Sequence, residues 1–283
     1  ACYPSAMIPP TPPDDCMDAG GTTPRMGGRR EQPPRATPGA VAKADTFPPL
    51  FYCAPLPDVV GERVTLTGDE ASHALGARRL QVGGDIGLFD GQGTAARAVV
   101  IAVDRRRHTL EAKLTDRQRM PNPRPAVHLA CALPKGDRQH VLLDMATQLG
   151  MVRFTPLVCA RSVVKPGANS RERLRRICLE ACKQSRRFYL PEIEAPASPR
   201  ELARRVPPGN LWVAHPTTDV PAAFIGQQTN TLTLLIGPEG GFTPQELAEV
   251  MAAGARPFSL GPAILRIETA AVAALAAATL GAR

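Results

Sequence analysis

Apolar residues follow two different patterns along this chain, and the pattern changes at a proline-rich segment. Between residues 51 and 119, short apolar runs alternate with turn residues, which is typical of β-strands joined by hairpins. Asp90-Gly91 is a hairpin signal, and Asp104–His108 is a polar turn between two strands. The predicted strands are Arg63–Thr67, Asp85–Phe89, Ala95–Val103 and Thr109–Leu114, with a short helical piece at Asp69–Leu80. This part of the chain therefore predicts a small β-barrel.

The segment Met120–Pro125 marks the change of pattern. Its three prolines predict a stiff, extended linker, because each disfavours helix in the residue before it. Beyond it, continuous apolar runs alternate with helical patterns. The predicted strands are Val127–Leu133, Arg153–Val158, Leu211–Ala214, Thr231–Ile236 and Pro257–Leu260, and the predicted helices are Arg138–Leu149, Arg171–Phe188, Pro244–Ala253 and Ile267–Leu280. This alternation predicts an α/β fold, a parallel sheet with helices on both faces.

These patterns divide the chain into three parts. Residues 1–48 are rich in proline and lack apolar periodicity, so they predict a disordered extension. Residues 49–121 form the predicted barrel, and residues 122–283 form the predicted α/β domain. The full length of 283 residues suits about two ordinary domains beside such an extension.

The charge balance indicates a polyanionic partner. The chain has 34 Lys and Arg against 26 Asp and Glu, a net charge of +8. The basic residues concentrate between Arg161 and Arg187, where only Glu172 and Glu180 oppose them. A solvated helix face and a nucleic-acid surface both fit this cluster, and nucleic acid is the partner that the overall charge favours.

The cysteines and the apolar runs bear on the compartment. Seven cysteines, an odd number without a C-x-x-C pair, fit a reducing cytoplasm. Cys178 and Cys182 lie four residues apart, but no histidine accompanies them, so we predict free thiols and no metal site. No apolar stretch approaches the roughly 18 residues that a membrane span needs, and the residues after Arg29-Arg30 are too polar for an export signal. We therefore expect a soluble, cytoplasmic protein.

The strongest chemical signal is the segment Leu234–Thr243, in which an apolar strand runs into a glycine-rich loop, Ile-Gly-Pro-Glu-Gly-Gly-Phe, and then into a helix start. Thr243, Pro244 and Glu246 form a predicted capping box with proline at the first helical position. Glycines at the carboxyl end of a parallel strand let backbone approach a ligand. Taken alone, the loop fits either a tight turn or a ligand site.

A second loop of the same kind, Ser259–Thr269, lies between the last predicted strand and the last helix. If the two loops lie on adjacent strands, they form one pocket. Together, I-G-P-E-G-G-F-T followed by L-G-P-A-I-L-R-I-E-T-A resembles the ribosomal RNA uridine-N3 methyltransferases of the SPOUT superfamily. Segments Pro134–Arg138, Ala146–Gly150, Arg161–Val164 and Glu180–Arg187 are similar to the same family, so the resemblance covers roughly residues 50–283.

The resemblance implies a fold and an activity. The fold would be a PUA-like barrel for RNA followed by a SPOUT α/β domain whose chain forms a trefoil knot. The activity would be transfer of a methyl group from S-adenosylmethionine to N3 of one uridine in 16S ribosomal RNA or the small ribosomal subunit, by a homodimer.

The resemblance also implies site residues. Arg266 would be the catalytic cation that stabilises the uridine anion, with Glu268 orienting it or handling the proton. The basic cluster, taken with the RNA substrate that the resemblance implies, makes Lys135, Arg138, Arg161, Lys165, Arg186 and Arg187 the candidate RNA-binding residues. The cofactor would be held by Ile236, Gly237, Pro238, Glu239, Gly240, Gly241, Leu260, Gly261, Ile264, Leu265 and Thr269.

This chain departs from the family pattern at several positions. Ala263 stands where the family usually has arginine, Met145 and Gln148 replace a lysine and a glutamate, and Lys183 and Arg186 replace a glutamate and a glycine. Two alternatives therefore stay open. One is a catalytically weakened RNA-binding or ribosome-assembly protein of the same fold, and the other is a SPOUT enzyme that methylates a ribose 2′-oxygen in transfer RNA.

Overall fold

The computed structural model describes residues 48–167, 169–216, 222 and 230–280. The disorder predicted for residues 1–48 lies, but for Pro48, outside the described residues. The described residues belong to one compact unit, and they form two β-sheets.

The first sheet has five strands in the order β1-β3-β4-β5-β2. Its elements are β1 (Leu50–Tyr52), β2 (Arg63–Leu66), α1 (Gly68–Leu75), β3 (Asp85–Phe89), β4 (Thr94–Asp104) and β5 (Thr109–Arg119). Strands β3, β4 and β5 are antiparallel neighbours joined by the two predicted turns. In the first turn, the carboxylate of Asp90 accepts the backbone N–H of Gln92 at 2.7 Å and of Thr94 at 2.9 Å. The four predicted strands of this region are confirmed.

The second sheet has six strands in the order β11-β9-β10-β6-β7-β8, and every pairing between them is parallel. The strands are β6 (Ala126–Ala132), β7 (Met151–Leu157), β8 (Glu192–Ile193), β9 (Leu211–Ala214), β10 (Thr231–Ile236) and β11 (Arg256–Phe258). The helices are α2 (Arg138–Gln148), α3 (Ser170–Ser185), α4 (Pro199–Ala203), α5 (Pro244–Ala252) and α6 (Ile267–Leu280).

Helices cover both faces of this sheet. Alternate residues of a strand therefore pack in two different hydrophobic cores, one on each face. On β10, Leu234 packs in the cluster that includes α2, α3 and α6, whereas Leu235 packs with α4 and α5. Leu234 and Leu235 are both fully buried. The parallel sheet with helices on both faces is therefore confirmed; the knot stays a prediction.

Sequence patterning missed three elements and misplaced some ends. Strands β1 and β8 and helix α4 were not predicted, because segments of two to five residues are too short to show a period. Helix α1 ends at Leu75 and not at Leu80. Helix α3 ends at Ser185, because Arg186 adopts a left-handed conformation with φ 57° and ψ 40°.

A small apolar cluster joins the two sheets. Leu50 of β1, Phe89 of β3 and Cys182 of α3 are buried together. Arg175 of α3 lies over the Tyr52 ring, 5.3 Å from its centroid, and donates to the Tyr52 hydroxyl at 3.2 Å. The predicted limits of the domains, 49–121 and 122–283, stay predictions.

Cys178 and Cys182 lie on the buried face of α3 as free thiols, as predicted. Burial raises the pKa of Cys178 to about 11 and that of Cys182 to about 12. Both are therefore protonated at neutral pH and pack as small apolar groups.

His128 of β6 belongs to a hydrogen-bonded network of polar side chains that includes Thr155 of β7 and Glu194. Its Nε2 lies 2.7 Å from the Thr155 hydroxyl, which donates to the Glu194 carboxylate at 2.6 Å. Since the Thr155 hydroxyl donates to Glu194, it accepts from His128, and the proton of the neutral ring is on Nε2. Burial lowers the pKa of His128 to about 4, and Arg153 adds to this, although Glu194 opposes it.

The buried, neutral His128 predicts that the fold loses stability in mild acid. The pKa of His128 is about 4 in the folded state and about 6.5 when unfolded, so its contribution is intact above pH 6.5 and falls by about 3 kcal/mol as the pH drops to 4. In chemical denaturation, the difference in unfolding free energy between wild type and His128→Gln should shrink over this range. The exposed His140→Gln variant should follow the wild-type curve; parallel curves for His128→Gln and wild type would contradict the prediction.

Candidate active site

The first glycine loop leaves β10 at its carboxyl end. Beyond Ile236, a Cβ on Gly237 would lie 3.0 Å from the Phe242 ring, so this position needs glycine for the ring to pack. Gly241 has φ +68°, which also favours glycine. The predicted capping box is confirmed: the Thr243 hydroxyl accepts from the Glu246 N–H at 3.2 Å, and the Glu246 carboxylate accepts from the Thr243 N–H at 2.8 Å.

The second loop joins β11 to α6. Gly261 has φ +104°, and a Cβ placed there would meet no atom within 4 Å. Glycine is thus required by the backbone conformation and leaves open space in front of the loop. The Ile264 side chain beside it is 95% exposed, which is unusual for a large apolar residue.

The two loops line one cavity of about 280 Å³ at the carboxyl ends of the strands. The predicted cofactor residues in its lining are Ile236, Gly237, Pro238, Glu239, Gly241, Leu260, Gly261, Ile264 and Leu265. Gly240 and Thr269 are not in this lining. Gly240 faces Arg161 instead, and Thr269 is exposed on the first turn of α6.

The two loops form one pocket although they do not follow adjacent strands. Strand β9 lies between β10 and β11, because it pairs in parallel with both. The end of β9 therefore supplies part of the cavity wall. Lining residues that the sequence analysis missed are Ala214, His215, Pro216, Phe242, Phe258, Ala263, Ile267 and Ala270. Phe242 could have been found as the next residue of the first motif, whereas the β9 residues carry no motif.

The two predicted catalytic residues lie in different surroundings. Arg266 is exposed at the end of the second loop, and within the described residues its side chain makes no ion pair. The Glu268 carboxylate instead faces Arg138, with Nη1 and Oε2 3.7 Å apart. This Oε2 atom is buried and has no hydrogen-bond partner in the described part of the chain. Neither Arg266 nor Glu268 lines the cavity, so their catalytic roles stay predictions.

The predicted RNA-binding residues fall into three groups. Lys135 and Lys165 are exposed. Arg138 and Arg161 contact the first glycine loop, at Glu239 and at the Gly240 carbonyl. Arg186 and Arg187 follow α3.

The surroundings of Arg187 differ from those of an exposed arginine that binds phosphate. Its Nε atom is buried without a hydrogen-bond partner among the described residues, and Nη1 lies 3.0 Å from where a Cβ on Gly150 would stand. Burial lowers the pKa of the Arg187 guanidinium, although nearby Cys182 opposes this. An RNA contact by Arg187 stays a prediction, and its half-buried side chain does not favour it.

The left-handed backbone conformation of Arg186 predicts that glycine at this position would stabilise the fold. Its φ of 57° is the conformation in which helices usually end on glycine. We expect Arg186→Gly to stabilise the fold by about 1 kcal/mol and raise Tm by about 2–4 °C. Arg186→Lys keeps both strain and charge and should leave Tm unchanged. Differential scanning calorimetry would contradict the prediction if the glycine variant melted at or below the wild-type temperature.

The described residues lack two kinds of feature. No group of three or more His, Cys, Asp or Glu side chains is arranged there to hold a metal ion. In the same part of the chain, no helix combines the length and apolar character required to cross a bilayer.

Comparison with known sequences places this site in a family. Residues 120–279 match the RNA methyltransferase domain, and residues 66–113 match the RNA methyltransferase PUA domain. The ribosomal RNA small subunit methyltransferase E of Mycobacterium tuberculosis is 37% identical over 238 residues, which cover 81% of this chain and 90% of that protein. The protein of the same name from Synechocystis is 33% identical, covering 77% of this chain and 73% of that protein.

Solved structures agree with this placement. A ribosomal RNA small subunit methyltransferase E from Neisseria gonorrhoeae, bound to S-adenosylmethionine, is 30% identical with a TM-score of 0.74, covering 81% of this chain and 96% of that one. A Legionella pneumophila protein in complex with S-adenosylmethionine is 27% identical with a TM-score of 0.76, covering 82% and 97%. The expected SPOUT-type fold with an N-terminal PUA-like domain is thereby confirmed. The glycine loops, the parallel sheet and these matches together show that the chain belongs to the family of ribosomal RNA small subunit methyltransferases E.

Proposed function

We propose that this chain transfers the methyl group of S-adenosylmethionine to N3 of a specific uridine in 16S ribosomal RNA. The observation that supports this most is the single cavity formed by two glycine loops at the carboxyl ends of the strands. The relatives of known name are small-subunit ribosomal RNA methyltransferases, and two similar structures hold S-adenosylmethionine.

The cavity fits a nucleoside cofactor. Its volume of about 280 Å³ is near the lower end of pockets that bind small molecules, about 300 Å³. Leu260, Ile264 and Leu265 supply apolar surface for an adenine ring, and Gly261 leaves its space open. The glycines of both loops let backbone groups approach the adenosine. When bound there, S-adenosylmethionine supplies an electrophilic methyl group on a cationic sulfonium.

The protein's own residues would act on the acceptor. A uridine N3 carries a proton that has to leave, so a cation beside the ring favours the anionic, nucleophilic form. Arg266 ends the loop whose preceding residues line the cavity, and its exposed guanidinium makes no ion pair among the described residues. We propose Arg266 as this cation, with Glu268 in a supporting role.

The protein's surface favours an RNA substrate. The exposed lysines Lys135 and Lys165 stand on the loops that follow β6 and β7, at the same end of the sheet as the cavity. We propose that they contact phosphates. We also propose, from the resemblance, that the chain acts in the cytoplasm as a homodimer, which light scattering coupled to size-exclusion chromatography would test.

The proposed activity is tested with purified protein and small ribosomal subunits from a strain that lacks this enzyme. We expect calorimetry to show S-adenosylmethionine binding, and nucleoside analysis to show one new N3-methyluridine in the 16S RNA. Gly261→Val should weaken cofactor binding at least about tenfold, because it strains the backbone and fills the cavity. Methyl transfer to a ribose 2′-oxygen in transfer RNA would refute the N3 assignment.

A second candidate function has a specific observation in its favour. Ala263, which stands where the family usually has arginine, lines the cavity, so this position carries no charge at the cavity wall. A ribosome-assembly protein without methyl transfer would fit this loss. It would bind the small subunit but show no turnover with S-adenosylmethionine.

A further inference from the structure

Two arginines from neighbouring loops hold the tip of the first glycine loop. Arg138 begins α2, just after β6, and its Nη2 lies 3.5 Å from the Glu239 carboxylate. Arg161 follows β7 and donates from Nη1 to the Gly240 carbonyl at 2.7 Å. Strands β10, β6 and β7 are consecutive in the sheet. The loop after β10 is therefore fastened to the loops after the next two strands.

The backbone around Arg161 is itself fixed. The Ala160 N–H donates to Glu246 at 2.8 Å, and Glu246 belongs to the capping box of α5. The Arg161 side chain also packs on the loop, since a Cβ on Gly240 would lie 3.3 Å from its Cδ. Arg161 thus fills the space that glycine leaves at position 240.

Arg138 connects the first loop to the element that follows the second. Its Nη1 lies 3.7 Å from Glu268 on the first turn of α6, while Nη2 faces Glu239. One planar guanidinium presents separate nitrogens to the two carboxylates in fixed directions, whereas all the donors of a lysine ammonium lie on one nitrogen at the end of a flexible chain. An RNA phosphate that approached Arg138 would meet both carboxylates, and like charges repel.

We propose that Arg138 and Arg161 are positioning residues of the cofactor cavity and do not bind RNA phosphates. They fix the conformation of Glu239–Gly241, a segment whose glycines would otherwise allow several. Arg138 also sets this segment relative to the start of α6. The inference rests on the proposed function insofar as the cavity binds S-adenosylmethionine, and it reverses the role that the sequence predicted for these two arginines.

The test compares Arg138→Gln and Arg161→Gln with Lys135→Gln and Lys165→Gln, which remove exposed charges from the same two loops. S-adenosylmethionine affinity is measured by calorimetry, and affinity for 16S RNA is measured without cofactor over a range of salt. We expect both arginine variants to bind the cofactor about tenfold more weakly, the lysine variants to bind it as wild type does, and the arginine variants to keep the wild-type salt slope. This slope is that of the logarithm of RNA affinity against the logarithm of salt concentration, and a lost phosphate contact would lower it by about one.

Three further variants separate positioning from general damage to the fold. Glu239→Gln should reproduce the loss of cofactor affinity, and Arg138→Gln should then cost less in the Glu239→Gln background, because the two residues share one interaction. Arg138→Lys should restore only part of the affinity.

Wild-type cofactor affinity in both arginine variants, or a salt slope lowered by about one in each, would overturn the inference while leaving the proposed function intact. Additive losses in the Arg138 and Glu239 cycle would overturn the role of that pair. A wild-type chain that binds no S-adenosylmethionine would overturn the proposed function, and this inference with it.

Discussion

Replacement of Arg266 by alanine is expected to lower kcat for methyl transfer by about 10²–10³-fold, the usual effect of removing one group that stabilises a developing anion. The affinity for S-adenosylmethionine should change little, because Arg266 does not line the cavity. Steady-state kinetics with small subunits measures the first quantity and calorimetry the second.

Arg266→Lys provides the matched control for charge. It should retain more activity than the alanine variant, since a cation remains near the acceptor, but less than wild type, because the guanidinium geometry is lost. If Arg266 were only a phosphate contact, KM for RNA would rise while kcat stayed constant. Equal loss of methyl transfer and cofactor binding would contradict the division of roles between Arg266 and the cavity.

Replacement of Lys183 by glutamate, the residue that the family usually has there, is expected to destabilise the fold by about 3–5 kcal/mol. The Lys183 side chain is 8% exposed and donates to Glu180 at 2.7 Å and to Glu70 at 2.9 Å. Burial alone lowers the pKa of Lys183, but the hydrogen bonds to Glu180 and Glu70 outweigh it and raise the pKa above its ordinary value. The ammonium is therefore charged at neutral pH.

The substitution would leave three carboxylates together where α3 meets α1. Glu70 lies on α1 beside the first sheet, so the damage should also loosen the contact between the two sheets. Urea denaturation measures the free energy of unfolding. Lys183→Met should lose less stability, and the exposed Lys135→Glu should lose almost none. A Lys183→Glu variant within 1 kcal/mol of wild type would contradict the buried network.

The sequence predicted the parallel sheet because its strands are continuous apolar runs and its helices are long enough to show a period. It predicted the start of α5 because the capping box involves only residues three apart, Thr243 and Glu246. It also identified most of the cavity lining, since that lining lies on two contiguous loops that carry glycines.

Partners across the fold were not predicted. Nothing in the sequence indicated that Arg138 and Arg161 contact Glu239 and Gly240, which lie about 80 to 100 residues further along the chain. Likewise, β9 lies between β10 and β11 although it precedes both in the chain. The end of β9 therefore enters the cavity without carrying any motif of its own.

By itself, the sequence determined the α/β class, the two glycine loops and the capping box of α5, because these depend on residues close together in the chain. Only the tertiary structure decided which charges pair. A guanidinium on an open surface can bind a phosphate, whereas one surrounded by acidic side chains pairs with their carboxylates. The order of the strands decides which side chains surround it. Arg138 lies between two acidic side chains because the loops after β10 and β11 converge on the start of α2.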